Sequence, residues 1–416
     1  MLNENKEYWL CISEKVYYRI MDTQALLYNT ETGEYMRTDN PEIIKLLQLL
    51  YKKDDLGTIR CNARTLANSP YKEFIYEFCA KQLGELIELS QAPERPVRLM
   101  PILNLQHDID RLNNAPEFNI GENILKNLLQ LDIYLNTKCR RSCALCNTYY
   151  RQCLCCMKSA EKQTQELDFT ILKKLLYQIQ YSAVGKLNIL GGNVFEYPYF
   201  REIDSLIKDF KGRIHIWNHL DHFLSEDFLI SNFNYDAIVT FPIDKVIFNE
   251  RARAWKDVNF RYHFFISDIN EYKESDRLIQ EFEIDNYCIH PVFTGKNLNF
   301  FEENVYTDTE DIFSNPLPFH RIFAHQKLNT NFFGQLTVFP NGAIYANVNS
   351  PSLGNAGTDT LLDIIKKEMV ENTAWRHIRN ETPCSDCLYQ YLCSSPSNYE
   401  IVIKRANLCH ITENRN

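Results

Sequence analysis

The chain is organised around one stretch, Leu131-Asp-Ile-Tyr-Leu-Asn136-Thr-Lys-Cys139-Arg-Arg-Ser-Cys143-Ala-Leu-Cys146. Its first six residues alternate, with Leu131, Ile133 and Leu135 on one face, and this period of two is typical of a β-strand. Three thiols, spaced by three and then by two residues, follow the strand at once. Thiolates are soft ligands that suit iron–sulfur clusters or zinc, so this loop is the first candidate metal site.

Cys139, Cys143 and Cys146 can bind three irons of a cubane [4Fe–4S] cluster and leave the fourth iron without a protein ligand. An open iron at the carboxyl end of a strand is a place where a small molecule can bind. A zinc site usually has four ligands and Cys-x2-Cys pairs, and ordinary buried cysteines are common in protein cores. The spacing favours the cluster over both alternatives.

Composition and charge exclude several classes of protein. The chain has 416 residues, of which 45% are hydrophobic and 24% charged, as in a globular protein with two or three domains. Its 45 basic and 54 acidic residues give a net charge of −9 with no basic run, so nucleic acid is not an expected partner. No apolar run reaches the roughly 18–20 residues of a membrane span. The start lacks a signal-peptide pattern, and we expect a cytoplasmic protein without membrane contact.

The 14 cysteines fall mainly into two dense clusters, residues 139–156 and 384–409. Clustered thiols without an export signal indicate bound metal in a reducing cytoplasm rather than a disulfide framework. Cys153, Cys155 and Cys156 are reactive thiols, packing residues or further ligands, and the sequence leaves these three roles open. Four cysteines stand singly, at Cys11, Cys61, Cys79 and Cys288.

Downstream of the first cysteine loop, strand and helix patterns alternate. Six strand candidates in all, counting Leu131–Asn136, imply parallel strands joined by crossover helices. Six repeats are too few for a complete eight-stranded barrel. The later strands are predicted at 186–190, 213–217, 236–241, 260–266 and 287–292, and helices at 168–177, near 199, near 226, at 244–255 and near 275.

The spacing Cys-x3-Cys-x2-Cys resembles the signature of radical S-adenosylmethionine (radical SAM) enzymes. The resemblance implies an α/β fold with a partial (β/α)6 TIM-like barrel that is open on one side. It also implies that SAM chelates the open iron and that one electron cleaves its sulfonium. The resulting 5′-deoxyadenosyl radical abstracts hydrogen from the substrate, so the cofactor carries the chemistry. No catalytic side chain beyond the cluster ligands is expected.

A second motif, Gly191-Gly192-Asn193, directly follows the second predicted strand. Glycines at such a place allow the backbone to approach a ligand closely. The radical SAM family uses the backbone of a Gly-Gly-Glu motif there to hold the amino group of SAM, so the resemblance implies that Gly191, Gly192 and Asn193 bind the cofactor. Asn193 departs from the usual Glu. An ordinary turn after a strand is the alternative.

The C-terminal part has a second group of thiols. Leu336–Tyr345 is typical of a hairpin around Asn341-Gly342, and a Cys-x2-Cys-x5-Cys run and a last cysteine follow it. Four thiols are enough to complete one metal site, and zinc is an alternative because Cys-x2-Cys is a common zinc half-site. The four residues are Cys384, Cys387, Cys393 and Cys409.

This segment is similar to the SPASM domain of peptide-modifying radical SAM enzymes, which ordinarily holds two auxiliary [4Fe–4S] clusters. The Phe-Pro-Asn-Gly hairpin, the Leu-Gly-Asn turn and the cysteine run carry the similarity. Asn347 and Ser397 stand where the family has cysteines of its first auxiliary cluster. The resemblance therefore implies one auxiliary [4Fe–4S] cluster, bound by the four retained cysteines, with zinc as the alternative.

The N-terminal residues look like a separate small α+β, winged-helix-like domain. A hairpin followed by helices, the first capped by Asn40 with Pro41 at its start, resembles the PqqD-like recognition domain. In that family a leader peptide adds as a strand to the sheet edge. A domain with a purely structural role is the alternative. Strands are predicted at 8–12, 16–20, 25–28 and 34–37, and helices from 41 and at 69–83.

These observations support three functional hypotheses and predict that the chain has four segments. The first hypothesis is an enzyme that modifies a ribosomally synthesised precursor peptide, bound through its leader, and that needs an electron donor. The second is a catalytically inactive pseudo-radical-SAM partner, resembling those of Bacteroidales-type peptide cassettes, that binds the peptide or an active maturase. The third is a zinc-binding structural protein. The predicted segments are a PqqD-like domain at 1–90, a linker at 91–130, the radical SAM barrel at 131–310 and the SPASM-like domain at 311–416.

Overall fold

The computed structural model describes residues 6–52, 54–55, 57–98, 124–158, 164–180, 182–223, 233–254 and 260–411. Most of the predicted linker and the predicted helix near residue 226 lie outside these ranges. The N-terminal strands are β1 Glu7–Ile12, β2 Val16–Ile20, β3 Ala25–Asn29, β4 Tyr35–Thr38, β5 Thr58–Asn62 and β6 Gly84–Glu88. The helices there are α1 Pro41–Leu50, α2 Ala63–Leu66 and α3 Tyr71–Ala80.

The N-terminal strands form two antiparallel sheets, ordered β5–β1–β6 and β2–β3–β4. The predicted start of α1 is confirmed, because the side-chain oxygen of Asn40 accepts a hydrogen bond from the Glu42 N–H at 2.9 Å. Sequence reasoning missed β5 and β6. Both are short, partly polar strands that pair with the two sides of β1, so neither has the long apolar alternation that reveals a half-buried strand.

A nine-stranded sheet forms the centre of the chain. Its first six strands lie side by side in chain order, and each pairs in parallel with the next. The succession of six parallel strands follows the prediction from the sequence. These strands are β7 Gln130–Tyr134, β8 Lys186–Leu190, β9 Arg213–His219, β10 Asn234–Thr240, β11 Phe260–Ile266 and β12 Tyr287–Pro291.

Helices follow most of these strands, as expected for crossover connections. The predicted cap of the helix after the cysteine loop is confirmed, since Asp168 Oδ1 accepts a hydrogen bond from the Thr170 N–H at 2.7 Å. The helices are α4 Cys146–Gln152, α5 Phe169–Gln180, α6 Glu202–Leu206, α7 Lys245–Ala254 and α8 Ile269–Glu281.

The predicted C-terminal hairpin extends the same sheet. Its first strand pairs in parallel with β7, and two short antiparallel strands follow it. The sheet therefore ends at β12 on one side and at the last short strand on the other, and it is not closed into a barrel. The fold is mixed α/β with a large, mostly parallel sheet. The three strands are β13 Gln335–Val338, β14 Ala343–Tyr345 and β15 Gly354–Asn355.

The N-terminal sheet β2–β3–β4 packs against the C-terminal cysteine segment. Tyr17, Leu26 and Tyr28 form one buried cluster with Leu388 and Tyr389. No helix in the described ranges is long and apolar enough to cross a membrane. The remaining helices are α9 Leu298–Asn304, α10 Thr309–Phe313, α11 Phe319–Lys327, α12 Leu361–Glu371 and α13 Asn398–Ile403.

Side chains alternate between the two faces of the parallel strands. Leu131, Ile189 and Ile216 point to the face that packs into the main hydrophobic core. The opposite face carries a second apolar group, including Tyr134 and Trp217, and also buried polar side chains. Residues of this second face pack against the loops at the carboxyl ends of the strands.

A buried carboxylate in the last turn of α12 binds the segment that follows the helix and provides a test of the fold. Glu368 is 0% exposed, and its two oxygens accept hydrogen bonds from the backbone N–H groups of Thr373, Ala374 and Trp375 at 3.0, 2.9 and 2.7 Å. Glu368→Ala leaves these buried donors without a partner and is expected to lower the free energy of unfolding by roughly 3 kcal/mol. Chemical denaturation measures this change.

The matched control lies on the same helix. The side chain of Glu371 is 47% exposed, so Glu371→Ala is expected to change the free energy of unfolding by no more than about 0.5 kcal/mol. Equal denaturation midpoints for Glu368→Ala and the wild type would contradict the described helix end.

Candidate functional site

The predicted cluster loop and the predicted SAM loop lie side by side. Cys139 and Cys143 are in the loop after β7, and Cys146 is the first residue of α4. Backbone hydrogen bonds link this loop to the one after β8: the N–H of Gly192 donates to the carbonyl of Asn136 at 2.9 Å. Because β7 and β8 are parallel neighbours, their carboxyl ends meet at one edge of the sheet.

Gly192 has no room for a side chain. A Cβ atom at this position would lie 2.2 Å from the carbonyl oxygen of Lys138. The amide of Asn136, which is fully buried, completes the junction: its oxygen accepts a hydrogen bond from the Gly192 N–H at 3.1 Å and its nitrogen donates one to the carbonyl of Asn193 at 2.9 Å. The close approach of two backbone segments therefore requires glycine here.

The side chain of Asn193 is already used inside the protein. Its oxygen accepts hydrogen bonds from the Asn218 side chain at 3.0 Å and from the Phe195 N–H at 3.2 Å. Its nitrogen donates to Glu196 at 3.3 Å. Asn193 is 6% exposed and caps the short 3₁₀ turn Val194–Glu196. The backbone of Asn193 is used as well, since its N–H donates to the carbonyl of Lys138 and its carbonyl accepts from Asn136 Nδ2.

Burial makes Cys139 and Cys146 weaker acids than free thiols. It raises the pKa of Cys139 to about 11 and that of Cys146 to about 12. These thiols are protonated at neutral pH without a metal, so metal binding displaces protons. Polar neighbours contact the sulfurs: His222 Nε2 lies 3.4 Å from Cys139 Sγ, and Thr240 Oγ1 donates to Cys143 Sγ at 3.7 Å.

Cys155–Lys158, which we name the covering segment, lies across both loops. The N–H of Met157 donates to the carbonyl of Gly191 at 3.1 Å, and Lys158 Nζ donates to the carbonyl of Arg141 at 2.7 Å. Burial is the main cause of the raised pKa of Cys146, and the nearby Cys156 sulfur raises it further. The Cys156 sulfur is therefore a neighbour of Cys139 and Cys146, two of the three predicted ligands.

Two of the three thiols that the sequence left undecided are buried. Cys155 and Cys156 are 0% and 5% exposed, and their sulfurs lie 3.9 Å apart within the apolar group on the second face of the sheet. Cys153 Sγ lies 3.2 Å from the hydroxyl of Tyr399 in α13. All three therefore have packing roles, and Cys156 also contributes to the surroundings of the candidate cluster.

The four C-terminal cysteines line one cavity of about 440 Å³. Arg379 also lines it, with Nη1 3.7 Å from Cys384 Sγ and Nη2 2.7 Å from a carboxylate oxygen of Glu400. Burial raises the pKa of Cys393 to about 12, and Arg379 opposes this rise. The structure brings Cys384, Cys387, Cys393 and Cys409 to the same site.

Asn347 and Ser397, at the positions of the missing family cysteines, belong to one hydrogen-bonded group. Asn347 Nδ2 donates to Asn398 Oδ1 at 2.8 Å, and Asn398 is the first residue of α13. Ser397 caps that helix, since its hydroxyl accepts a hydrogen bond from the Tyr399 N–H at 3.2 Å. Amide and hydroxyl groups thus link the hairpin to α13 at these positions.

Sequence reasoning missed a buried group on the second face of the sheet. Ligand atoms of His263, Cys288 and His290 all lie within 4.8 Å of one another. Asp236 and His215 extend the group through hydrogen bonds. Burial lowers the pKa of His290 to about 4, so its ring is neutral at pH 7. The signal in the sequence was weak, because His263 and the pair Cys288 and His290 belong to different strands.

The chain was compared with known families, curated proteins and solved structures, and it is similar only to solved structures among these. No family model and no curated protein matches the chain. Three similar structures are crystal structures of SuiB from Streptococcus suis. They comprise SuiB bound to S-adenosylmethionine (TM-score 0.49, 15% identity), SuiB bound to precursor peptide SuiA (0.47, 17%) and SuiB (0.48, 15%). Each match covers 96% of this chain and 98% of the SuiB chain, and at these TM-scores it assigns no role to individual residues here.

The junction between the two loops is testable by adding one methyl group. Gly192→Ala is expected to lower the midpoint of thermal unfolding by several degrees, because its Cβ overlaps the Lys138 carbonyl. Gly185→Ala is the matched control, since nothing lies within 4 Å of a Cβ atom there. Differential scanning fluorimetry compares the two. Equal midpoints for both variants would show that the loops are not in close contact.

Proposed function

We propose that the chain binds a [4Fe–4S] cluster through Cys139, Cys143 and Cys146 and binds SAM beside Gly191–Asn193. We further propose that it is a radical SAM enzyme that modifies a ribosomally synthesised precursor peptide. The observation that carries the proposal is the contact between the three-cysteine loop and the Gly-Gly loop at the carboxyl ends of β7 and β8. Ligands of open parallel sheets commonly bind at such strand ends.

The residues of the first loop fit an anionic cluster. Its three thiols come from one short segment that follows a fully packed strand, so the fold fixes the position of that segment. Thr240 donates a hydrogen bond to Cys143, and contacts of this kind adjust the redox potential of iron–sulfur clusters. When bound, the cluster supplies the electron that cleaves SAM. Lys158, whose ammonium group donates to the carbonyl of Arg141, is the basic side chain that favours negative charge there. The other basic side chains of the loop are paired with carboxylates, namely Lys138 with Glu166, Arg140 with Glu196 and Arg141 with Asp221.

The C-terminal cavity fits a second, fully protein-ligated cluster better than one zinc ion. A single zinc with Zn–S bonds of about 2.3 Å needs sulfurs about 3.8 Å apart. No three of the four described sulfurs lie within 4.8 Å of one another, as a wider cubane requires. The guanidinium of Arg379, anchored by Glu400, offsets negative charge at the thiolates. We assign this site to electron relay or to stabilisation of the domain.

A groove along β2 supports the proposed binding of a leader peptide. β2 is an edge strand of its sheet, and all five of its residues line the groove, which has a volume of about 430 Å³. Tyr51, from the end of α1, and Phe319 and Phe323 of α11 line the same groove. An edge strand beside aromatic side chains suits an extended peptide that adds to the sheet.

A second candidate function is an inactive partner of a maturase. Two observations favour it: the covering segment contacts both loops where SAM would bind, and the backbone N–H and carbonyl of Asn193 already form hydrogen bonds within the protein. The two functions can be told apart by one reaction product, which only an active enzyme forms. The enzyme, reduced with dithionite and given SAM, is expected to release 5′-deoxyadenosine. Absence of this product from a protein with a full iron content would support the partner role.

The cluster assignment is expected to appear in the iron content. Two [4Fe–4S] clusters correspond to about eight irons per chain. Cys143→Ala and Cys387→Ala are each expected to lose about four irons after anaerobic reconstitution, because each removes a ligand from a different cluster. Cys79→Ala is the control, since Cys79 is an exposed thiol far along the sequence from both sets. About two zinc ions and no iron in the wild type would refute both clusters.

The leader site is testable with a pair of exposed tyrosines. Tyr51, 58% exposed, lines the β2 groove, whereas Tyr76, 80% exposed, lies on α3 and does not line it. Tyr51→Ala is expected to weaken binding of a fluorescently labelled leader about tenfold, since aromatic anchors contribute about 1–2 kcal/mol. Tyr76→Ala is expected to bind normally. Fluorescence anisotropy measures both, and equal affinity of Tyr51→Ala and wild type would exclude this groove.

A further inference from the structure

We propose that His263, Cys288 and His290 bind a single Zn²⁺ ion on the second face of the sheet. This site is separate from the cluster sites and does not depend on them. Its three ligand atoms lie within 4.8 Å of one another, on strands β11 and β12. Two imidazole nitrogens and one thiolate form a donor set that suits zinc and related transition metals rather than Mg²⁺ or Ca²⁺.

Strand register brings the three side chains together. In the parallel pair β11–β12, His263 is opposite Cys288, and Phe265 is opposite His290. Cys288 and His290 are two residues apart, so they point to the same face of β12, and His263 points to that face from β11. The donor set is therefore fixed by backbone pairing rather than by a loop.

Hydrogen bonds orient His263 as a metal ligand. Its Nε2 donates to Asp236 Oδ1 at 2.8 Å, which leaves the lone pair on Nδ1. Without metal this lone pair accepts a hydrogen bond from Nε2 of His290 at 2.8 Å, and Zn²⁺ would bind the His290 tautomer that has its proton on Nδ1. Ligand histidines in zinc sites usually donate their second N–H to a carboxylate in this manner. His215 Nδ1 contacts the other oxygen of Asp236 at 2.7 Å and holds the carboxylate in place.

Charge gives the second reason for a cation. Asp236 is only 1% exposed, and each of its two carboxylate oxygens lies within 2.8 Å of a histidine ring nitrogen. Both of its hydrogen-bond partners are imidazoles. A divalent ion on the far side of the His263 ring places positive charge near the buried carboxylate, which otherwise bears the cost of its desolvation.

The two histidine rings need only a small movement to admit the ion. Zn–N bonds of about 2.0–2.1 Å in a tetrahedral site place the two nitrogens about 3.3 Å apart. The rings of His263 and His290 therefore separate by about 0.5 Å from their present distance. Because Cys288 and His290 are only partly buried, we expect water to supply the fourth ligand. The ion would join the edge strand β12 to the rest of the sheet.

The test measures zinc in the full-length chain after its iron–sulfur sites have been loaded anaerobically, so that the seven proposed cluster ligands are occupied. Protein is incubated with excess Zn²⁺, desalted and analysed for zinc and iron. We expect about one zinc per chain in the wild type, and at least tenfold weaker zinc binding in Cys288→Ser and in His290→Ala. Iron content is expected to be the same in all three, which separates this result from any failure of the cluster proposal.

Cys61→Ser serves as the control, because Cys61 is also partly buried but lies in the N-terminal part. It is expected to retain zinc like the wild type. A second measurement uses thermal unfolding: Zn²⁺ is expected to raise the midpoint of the wild type and not that of Cys288→Ser, whose change of one atom preserves the side-chain shape. Equal zinc retention by wild type and Cys288→Ser, or no zinc in the wild type, would overturn the proposal.

Discussion

Gly192 lies so close to the backbone of Lys138 that the loops following β7 and β8 have a single relative arrangement. A side chain of even one carbon would overlap the Lys138 carbonyl. The buried amide of Asn136 bonds to Lys138 in its own loop and to Gly192 and Asn193 in the other. This contact brings the three-cysteine loop and the Gly-Gly loop to one edge of the sheet. The position of the covering segment also depends on it, since Met157 bonds to the carbonyl of Gly191.

Because side chains alternate along the parallel strands, the residues that stabilise the core and the residues with reactive groups lie on opposite faces of the sheet. One face of the sheet packs into the main hydrophobic core, and the other holds the apolar group around Trp217 together with the His263 group. Polar residues on this second face are buried, so each needs a hydrogen-bond partner. The carboxylate of Asp236 meets this need with two histidines, and it thereby connects neighbouring strands.

Local sequence patterns predicted the features that depend on neighbouring residues, such as strands and helix starts. Alternation identified β7, and the capping residues Asn40 and Asp168 identified helix starts. Thiol spacing identified the four C-terminal cysteines, which line one cavity. The sequence did not reveal the pairing of β13 with β7, because the partner of a strand depends on distant segments. The His263 group was missed for the same reason, since it depends on the register between β11 and β12.

The covering segment bears on the choice between an active enzyme and an inactive partner, because it contacts both loops where we propose that SAM binds. The spacing of Cys155 and Cys156 in the sequence did not predict its contacts with the Arg141 and Gly191 carbonyls.

The most direct measurement is electron paramagnetic resonance of the reduced protein with and without SAM. The account predicts a change in the spectrum on SAM addition that is lost when Cys139, Cys143 and Cys146 are all replaced by alanine. A change that persists unaltered in that triple variant would contradict it.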